Sequence, residues 1–158
     1  MAGPVPSKRA RVTAFFAVAG VAVVLDQLTK ALARTALAAG PAPFIPGVME
    51  LRLVQNTGAA FSMGEGKGWI FVIIAAVMCT AILIWIARED GMGWPLTVGL
   101  SCVAGGGIGN MIDRLVQGSV TDFLATTFID FPVFNVADIF VTCGVAVCLL
   151  IVLTSDEG

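Results

Sequence analysis

Three aspartates, Asp122, Asp130 and Asp138, stand within residues 119–138 (SVTDFLATTFIDFPVFNVAD) among phenylalanines and valines, with no basic residue in the stretch. An aspartate at the centre of a membrane costs roughly 2.5–3.5 kcal/mol on insertion scales, so acids kept in so apolar a chain are expected to face a cavity or a partner. Asp122 is flanked by Val120, Phe123 and Leu124, and no lysine or arginine follows it in the chain. That setting should raise its pKa. Asp138, in FNVADIF, has a similar apolar setting with Asn135 nearby. Two carboxyl groups about 3 Å apart share one proton, which supplies a base to activate water and an acid to polarise a carbonyl. On setting alone a pairing with Asp130 competes with Asp122 and Asp138, although Asp130 lies mid-loop before Pro132, a natural turn position.

Other polar residues have partners within the sequence itself. Asp26 and Lys30 in DQLTK are four apart, on one helical face, where they can form an ion pair that serves a site or only the fold. Asp113 precedes Arg114, and a carboxylate beside a guanidinium stays ionised, which suits an architectural acid. Asn110 and Arg114, also four apart, offer amide and guanidinium donors for peptide carbonyls or lipid oxygens. Asn56 stands before the turn residue Gly58 in QNTG, and is either a site residue or a plain turn residue. Asn135 either orients Asp138 or caps the helix that follows. Gly105, Gly106, Gly107 and Gly109 remove side-chain bulk over five positions and let neighbouring helices approach closely.

Several chemistries are excluded by what is missing. The chain has no histidine and no tyrosine, so HExxH zinc proteases and Ser-His hydrolases do not fit. Cys79, Cys102, Cys143 and Cys148 all fall in apolar runs and read as small hydrophobes rather than disulfides or zinc ligands. No metal and no cofactor is implied. A net charge of −2 without a large basic cluster excludes nucleic acid as a partner.

The elements that must position these acids are membrane spans. With 58 % hydrophobic and 13 % charged residues and mean hydropathy +0.94, the chain lies outside the balance of soluble domains. It reads as an all-α polytopic membrane protein of one domain, residues 1–158, with spans at about 12–37, 69–87, 94–114 and 136–153. Lys8, Arg9 and Arg11 before the first apolar run resemble a signal peptide, but Asp26 interrupts that run, and an uncleaved helix is expected. The same basic residues and Arg88, in the turn between spans two and three, place the N- and C-termini in the cytoplasm and the acids at the extracytoplasmic face. Between the first two spans, residues 38–68 carry an alternating stretch from Met49 to Val54 between turn signals at Pro41, Pro43, Pro46 and Gly58 to Gly68. A small extracytoplasmic β element is expected there, with an irregular amphipathic loop as the alternative.

At the level of motifs the chain resembles the bacterial lipoprotein signal peptidase, or signal peptidase II, family. The resemblance rests on DQLTK (26–30), NTGAAFS (56–62), GGGIGNMIDR (105–114), VTDF (120–123) and FNVAD (134–138), five ordered motifs spread over nearly the whole chain. It implies an intramembrane aspartic endopeptidase that cuts diacylglyceryl-modified prolipoproteins before the lipidated cysteine. Asp122 and Asp138 are then the catalytic pair, and Asp26, Lys30, Asn56, Gly58, Asn110, Asp113, Arg114 and Asn135 support the site or bind substrate. Its partners are the prolipoprotein signal peptide, the diacylglyceryl-cysteine and membrane lipid, its location the bacterial inner membrane, and a monomer is compatible with this. Thr121 stands where the family often has valine, an exchange expected to be neutral. A small proton-coupled transporter is the alternative, but such a protein needs acids near the membrane midplane. A non-enzymatic scaffold has little reason to keep Asp122 and Asp138 unpaired.

Overall fold

A computed structural model describes residues 5–58 and 68–155. Four helices are long and apolar enough to cross a membrane: α1 (Lys8–Ala36), α2 (Gly68–Arg88), α3 (Trp94–Gln117) and α4 (Val136–Ser155). The protein is a multi-pass membrane protein. Three short strands, β1 (Ala42–Ile45), β2 (Met49–Asn56) and β3 (Val120–Thr126), form an antiparallel sheet in that order.

Helix α1 starts at Ser7, whose hydroxyl accepts from the Ala10 N–H at 3.2 Å and satisfies one of the orphan donors of the first turn. Its buried residues Phe15, Ala19, Ala22, Asp26, Lys30 and Ala33 recur every three or four positions and make one stripe against α3. Helix α3 is the central element, packing on all three other helices. A Cβ at Gly105 would meet the Ala22 Cβ at 2.7 Å and the Ala19 backbone at 2.9 Å, and one at Gly106 would collide with the Ala137 carbonyl of α4. These two glycines, with Gly109 against the Asp26 carboxylate, set how closely α1 and α4 approach α3. Gly107, whose Cβ would lie 3.7 Å from the Cys79 sulfur, is not needed in that way. At the other extreme, α2 is apolar almost all round and buries only Ile82 and Ile86, as a helix facing lipid does.

The sheet differs from the sequence expectation in its third strand. Residues 119–135 read as loop, yet β3 pairs along β2, with Val54 opposite Asp122 and Asn56 opposite Val120. Six consecutive residues of β3, Val120 to Ala125, are buried, so the polar–apolar alternation that marked β2 has no reason to exist there. Pro43, read as a turn signal, lies instead in the edge strand β1, where a missing N–H is tolerated. Gly118, with φ 74°, ends α3 in the left-handed conformation, its N–H donating to the Arg114 carbonyl at 3.0 Å, and this abrupt stop delivers the chain directly into β3. After β3 the chain folds back, and Phe134 exchanges backbone hydrogen bonds with Leu124. Ala33 and Leu37 at the end of α1 pack with Phe123, Leu124, Leu51 and Phe134, which seats the sheet on the helix bundle.

Arg11 plays a part that its sequence position did not announce. It is buried and donates to the carbonyls of Ile86 and Glu89 at 3.3 and 2.6 Å, satisfying backbone acceptors at the C-terminal end of α2, and to that of Pro6, just before α1, at 2.7 Å.

Candidate active site

Two groups of acids gather where α1 ends, α3 ends, α4 begins and β3 crosses between them. The first is entirely buried. Lys30 Nζ lies 2.8 Å from Asp26 Oδ2 and 3.4 Å from Asp113 Oδ2, and donates to Asn110 Oδ1 at 2.8 Å. Asp113 is therefore paired with Lys30 across the α1–α3 contact, not with its neighbour Arg114 as the sequence suggested. Adjacent residues on a helix point about 100° apart, which is why sequence neighbours were the wrong partners. Arg114 instead donates to the Gly58 carbonyl at 2.8 Å and to the Asn110 carbonyl at 3.3 Å, with its guanidinium 5.1 Å from the Phe71 ring centre.

Each buried acid also grips a backbone N–H on another element. Asp26 Oδ1 accepts from Ala137 N at 2.9 Å, and Asp113 Oδ2 accepts from Thr121 N at 2.9 Å. Ala137 immediately precedes Asp138, and Thr121 immediately precedes Asp122. The ion cluster thus clamps the backbone one residue ahead of each of the other two acids, with Lys30 joining the clamps.

Among the described residues, the second group, Asp122 and Asp138, accepts hydrogen bonds from amides alone. Asp122 accepts from Asn56 Nδ2 at 3.0 Å and from Asn135 Nδ2 at 2.6 Å. Asp138 accepts from Asn110 Nδ2 at 2.8 Å and from the Asn135 N–H at 3.1 Å, while its own N–H donates to Asn135 Oδ1 at 3.0 Å. Asn135 is thus both alternatives foreseen for it: it caps α4 in a reciprocal box with Asp138, and through its side-chain amide it holds Asp122 beside the same turn. Asn110 links the two groups, since Lys30 and Asn135 both donate to its oxygen and its nitrogen is left to face Asp138. Asn56 likewise has two roles, accepting from the Gly58 N–H in a local turn and donating to Asp122.

Asp122 is only 3 % exposed. Its burial, reinforced by the charge of Asp138 and opposed by the two asparagine hydrogen bonds and the charge of Lys30, pushes its pKa up to about 6. Asp122 and Asp138 line one cleft of about 540 Å³, together with polar Asn56, Asn110 and Arg114 and apolar residues of the β3–α4 connection and of α4, among them Phe131, Phe134 and Ile139. Asp130, the rival partner, is exposed in the β3–α4 connection and does not line the cleft. Of the motif NTGAAFS only residues 56–58 are described; positions 59–62 lie outside the described residues.

Two contributors were missed in the sequence. Gln27 donates to Asp26 Oδ2, the Gly109 carbonyl and Asp113 Oδ1 at 3.1, 3.1 and 3.2 Å, joining the two buried acids at their edge. An amide inside a span, next to an acid, was the available signal. Thr121, for which valine was expected to serve equally, accepts from Arg34 Nη1 at 2.9 Å and ties the end of α1 to β3. Cys79, Cys102, Cys143 and Cys148 are free thiols.

Comparison with known proteins identifies the family. The family described as Signal peptidase (SPase) II matches residues 18–154. A lipoprotein signal peptidase of Symbiobacterium thermophilum is 45 % identical over 142 residues, covering 87 % of this chain and 93 % of the relative. One from Brevibacillus brevis is 40 % identical over 137 residues, covering 86 % and 92 %. Two solved structures of bacterial membrane enzymes superpose with TM-scores of 0.83 and 0.80 at 31 % and 30 % identity; the first covers 91 % of this chain and 89 % of its own, the second 88 % and 92 %. Both the span of the family match and the identity over nearly full length lead to one conclusion: the chain belongs to the signal peptidase II family.

Proposed function

We propose that this protein is an aspartic endopeptidase that removes signal peptides from diacylglyceryl-modified prolipoproteins, cutting before the lipidated cysteine, with Asp122 and Asp138 as its catalytic pair. The observation that carries the reading is the convergence of these two carboxyls, from β3 and from the first turn of α4, on one cleft through the shared residue Asn135. Membership of the family supplies the reaction class.

In this reading one carboxylate of the pair takes a proton from water as the water oxygen bonds to the scissile carbonyl carbon. The protonated carboxyl gives its proton to the carbonyl oxygen. As the resulting tetrahedral carbon collapses, one of its hydroxyls returns a proton to the carboxylate that had donated, the C–N bond breaks, and the proton first taken from water passes to the leaving nitrogen. Asn56, Asn110 and Asn135 hold the carboxyl planes, and the Asp26–Lys30–Asp113 cluster holds the two backbones. Arg114, through the Gly58 carbonyl, steadies the turn after β2 beside the cleft.

The pair acts at the extracytoplasmic face of the bacterial inner membrane. In support, Lys8 and Arg88 lie at the opposite ends of their helices from the acids, and Asp138 opens α4 at the end where α1 closes. A signal peptide reaches the cleft laterally while its diacylglyceryl chains stay in lipid. Acids grouped at one end of the bundle give no support to a proton-coupled transporter. The test is direct: purified protein is incubated with a diacylglyceryl-modified precursor in detergent, chelator present, and the products are mapped by mass. A cut immediately before the modified cysteine is expected; an intact precursor, or a cut elsewhere, rejects the assignment.

A further inference from the structure

The cleft extends beyond the acid pair. It follows α4 past Ile139 to Thr142 and Cys143. Thr142 lies four residues after Asp138, on the same helical face and about 6 Å further along the axis, towards the interior of the membrane. Its hydroxyl has no hydrogen-bond partner among the described residues. Of the other helix threonines, Thr29, Thr35, Thr80, Thr97 and Thr154 each donate to the carbonyl four residues earlier, at 2.8, 3.1, 2.8, 3.0 and 2.8 Å, while Thr13, in the second turn of α1, does not. In lipid that back-bond is the ordinary refuge of a hydroxyl, because nothing else offers an acceptor. Thr142, an exposed residue, and Thr13 lack it among the described residues, and of the two only Thr142 lines the cleft.

The geometry also sets the register. An extended peptide advances about 3.3 Å per residue, so a group about 6 Å from the acids meets the chain about two residues from the scissile bond. The portion running down α4 into the membrane is the apolar part of the signal peptide, which precedes the cut. Resting on the peptidase reading above, we infer that the Thr142 hydroxyl accepts a hydrogen bond from a backbone N–H of the signal peptide about two residues before the cleavage point. It is a substrate contact that positions the peptide without entering the bond chemistry.

Thr142→Val removes the hydroxyl at nearly constant shape, and Thr142→Ser keeps it. On a diacylglyceryl-modified precursor, Thr142→Val is expected to raise KM about fivefold with kcat within twofold of the parent, and Thr142→Ser to match the parent. A precursor with an ester in place of the peptide bond two residues before the cut should lose a similar factor with the parent enzyme and nothing further with Thr142→Val. An unchanged KM, a loss confined to kcat, or ester and valine effects that multiply independently would overturn the inference. Should the valine variant not fold, the parent enzyme decides alone: indifference to the ester rejects the contact. Failure of the parent to cut any precursor is a separate outcome and rejects the peptidase reading instead.

Discussion

The two groups of acids are built from the same residue type within one small region, yet their surroundings differ in kind. Asp26 and Asp113 are fully buried, share the Lys30 ammonium and each also accept from a backbone N–H of another element. Among the described residues, Asp122 and Asp138 receive only amide donors, and both border a cleft. A carboxylate satisfied by an ammonium and a backbone donor has nothing left to offer a substrate. One held in place by amides keeps its proton chemistry free. The lesson is a division of labour: paired acids fix distances, and unpaired acids are placed at those distances.

The sharpest way to break this comparison is to disable each group in turn, an acid of the unpaired kind and the cation of the paired kind. Asp122→Asn or Asp138→Asn is expected to lower cleavage of a diacylglyceryl-modified precursor on the order of a thousandfold or more, with thermal unfolding in detergent little changed. Preserved cutting would put the chemistry elsewhere. Lys30→Met should do the reverse, leaving Asp26 and Asp113 buried without their cation and costing about 3–5 kcal/mol of stability, readable as a lowered unfolding temperature.

A pH titration sharpens the contrast from the other side. Burial lifts the Asp122 pKa from 3.8 to about 6, so the folded protein holds that proton more tightly than the unfolded chain does. The resulting contribution to stability is complete below about pH 4 and is lost as pH rises through 6. Unfolding free energy should fall over this window by at most about 3 kcal/mol, and Asp122→Asn should remove that part of the slope. An unaltered slope in the variant would assign the titration to another group.

Smaller effects test the clamps. Gly106→Ala places a methyl against the Ala137 carbonyl and pushes α4, with Asp138, off α3; about 1–3 kcal/mol of destabilisation is expected by unfolding in detergent. Thr121→Val, at the other clamp, removes one acceptor from Arg34 and should cost about 1 kcal/mol by the same measurement, against the neutrality that the motif alone suggested.

Much of this arrangement was legible in the residues. Four apolar runs marked the helices, the i, i+4 spacing of Asp26 and Lys30 marked an ion pair that forms, and the glycine-rich run marked a close helix contact, realised at Gly105, Gly106 and Gly109. Strand β3 was hidden because a strand buried on both faces loses its alternation, and with it went the reason Asp122 sits where it does. The partner of Asp113 was misread because proximity in sequence stood in for proximity in space.

What the sequence determined by itself is the set of spans and the types of residue available for chemistry, since both follow from hydropathy and side-chain identity along the chain. That Asp113 joins Lys30, and that Asp122 and Asp138 meet at one cleft, was decided by tertiary structure. Lys30 on α1, Asn110 and Asp113 on α3, Thr121 and Asp122 on β3 and Asn135 before α4 become neighbours only when the helices and the sheet close upon one another. A carboxyl group acquires its role from that company, because the same side chain beside an ammonium or beside an amide differs in the proton it will hold.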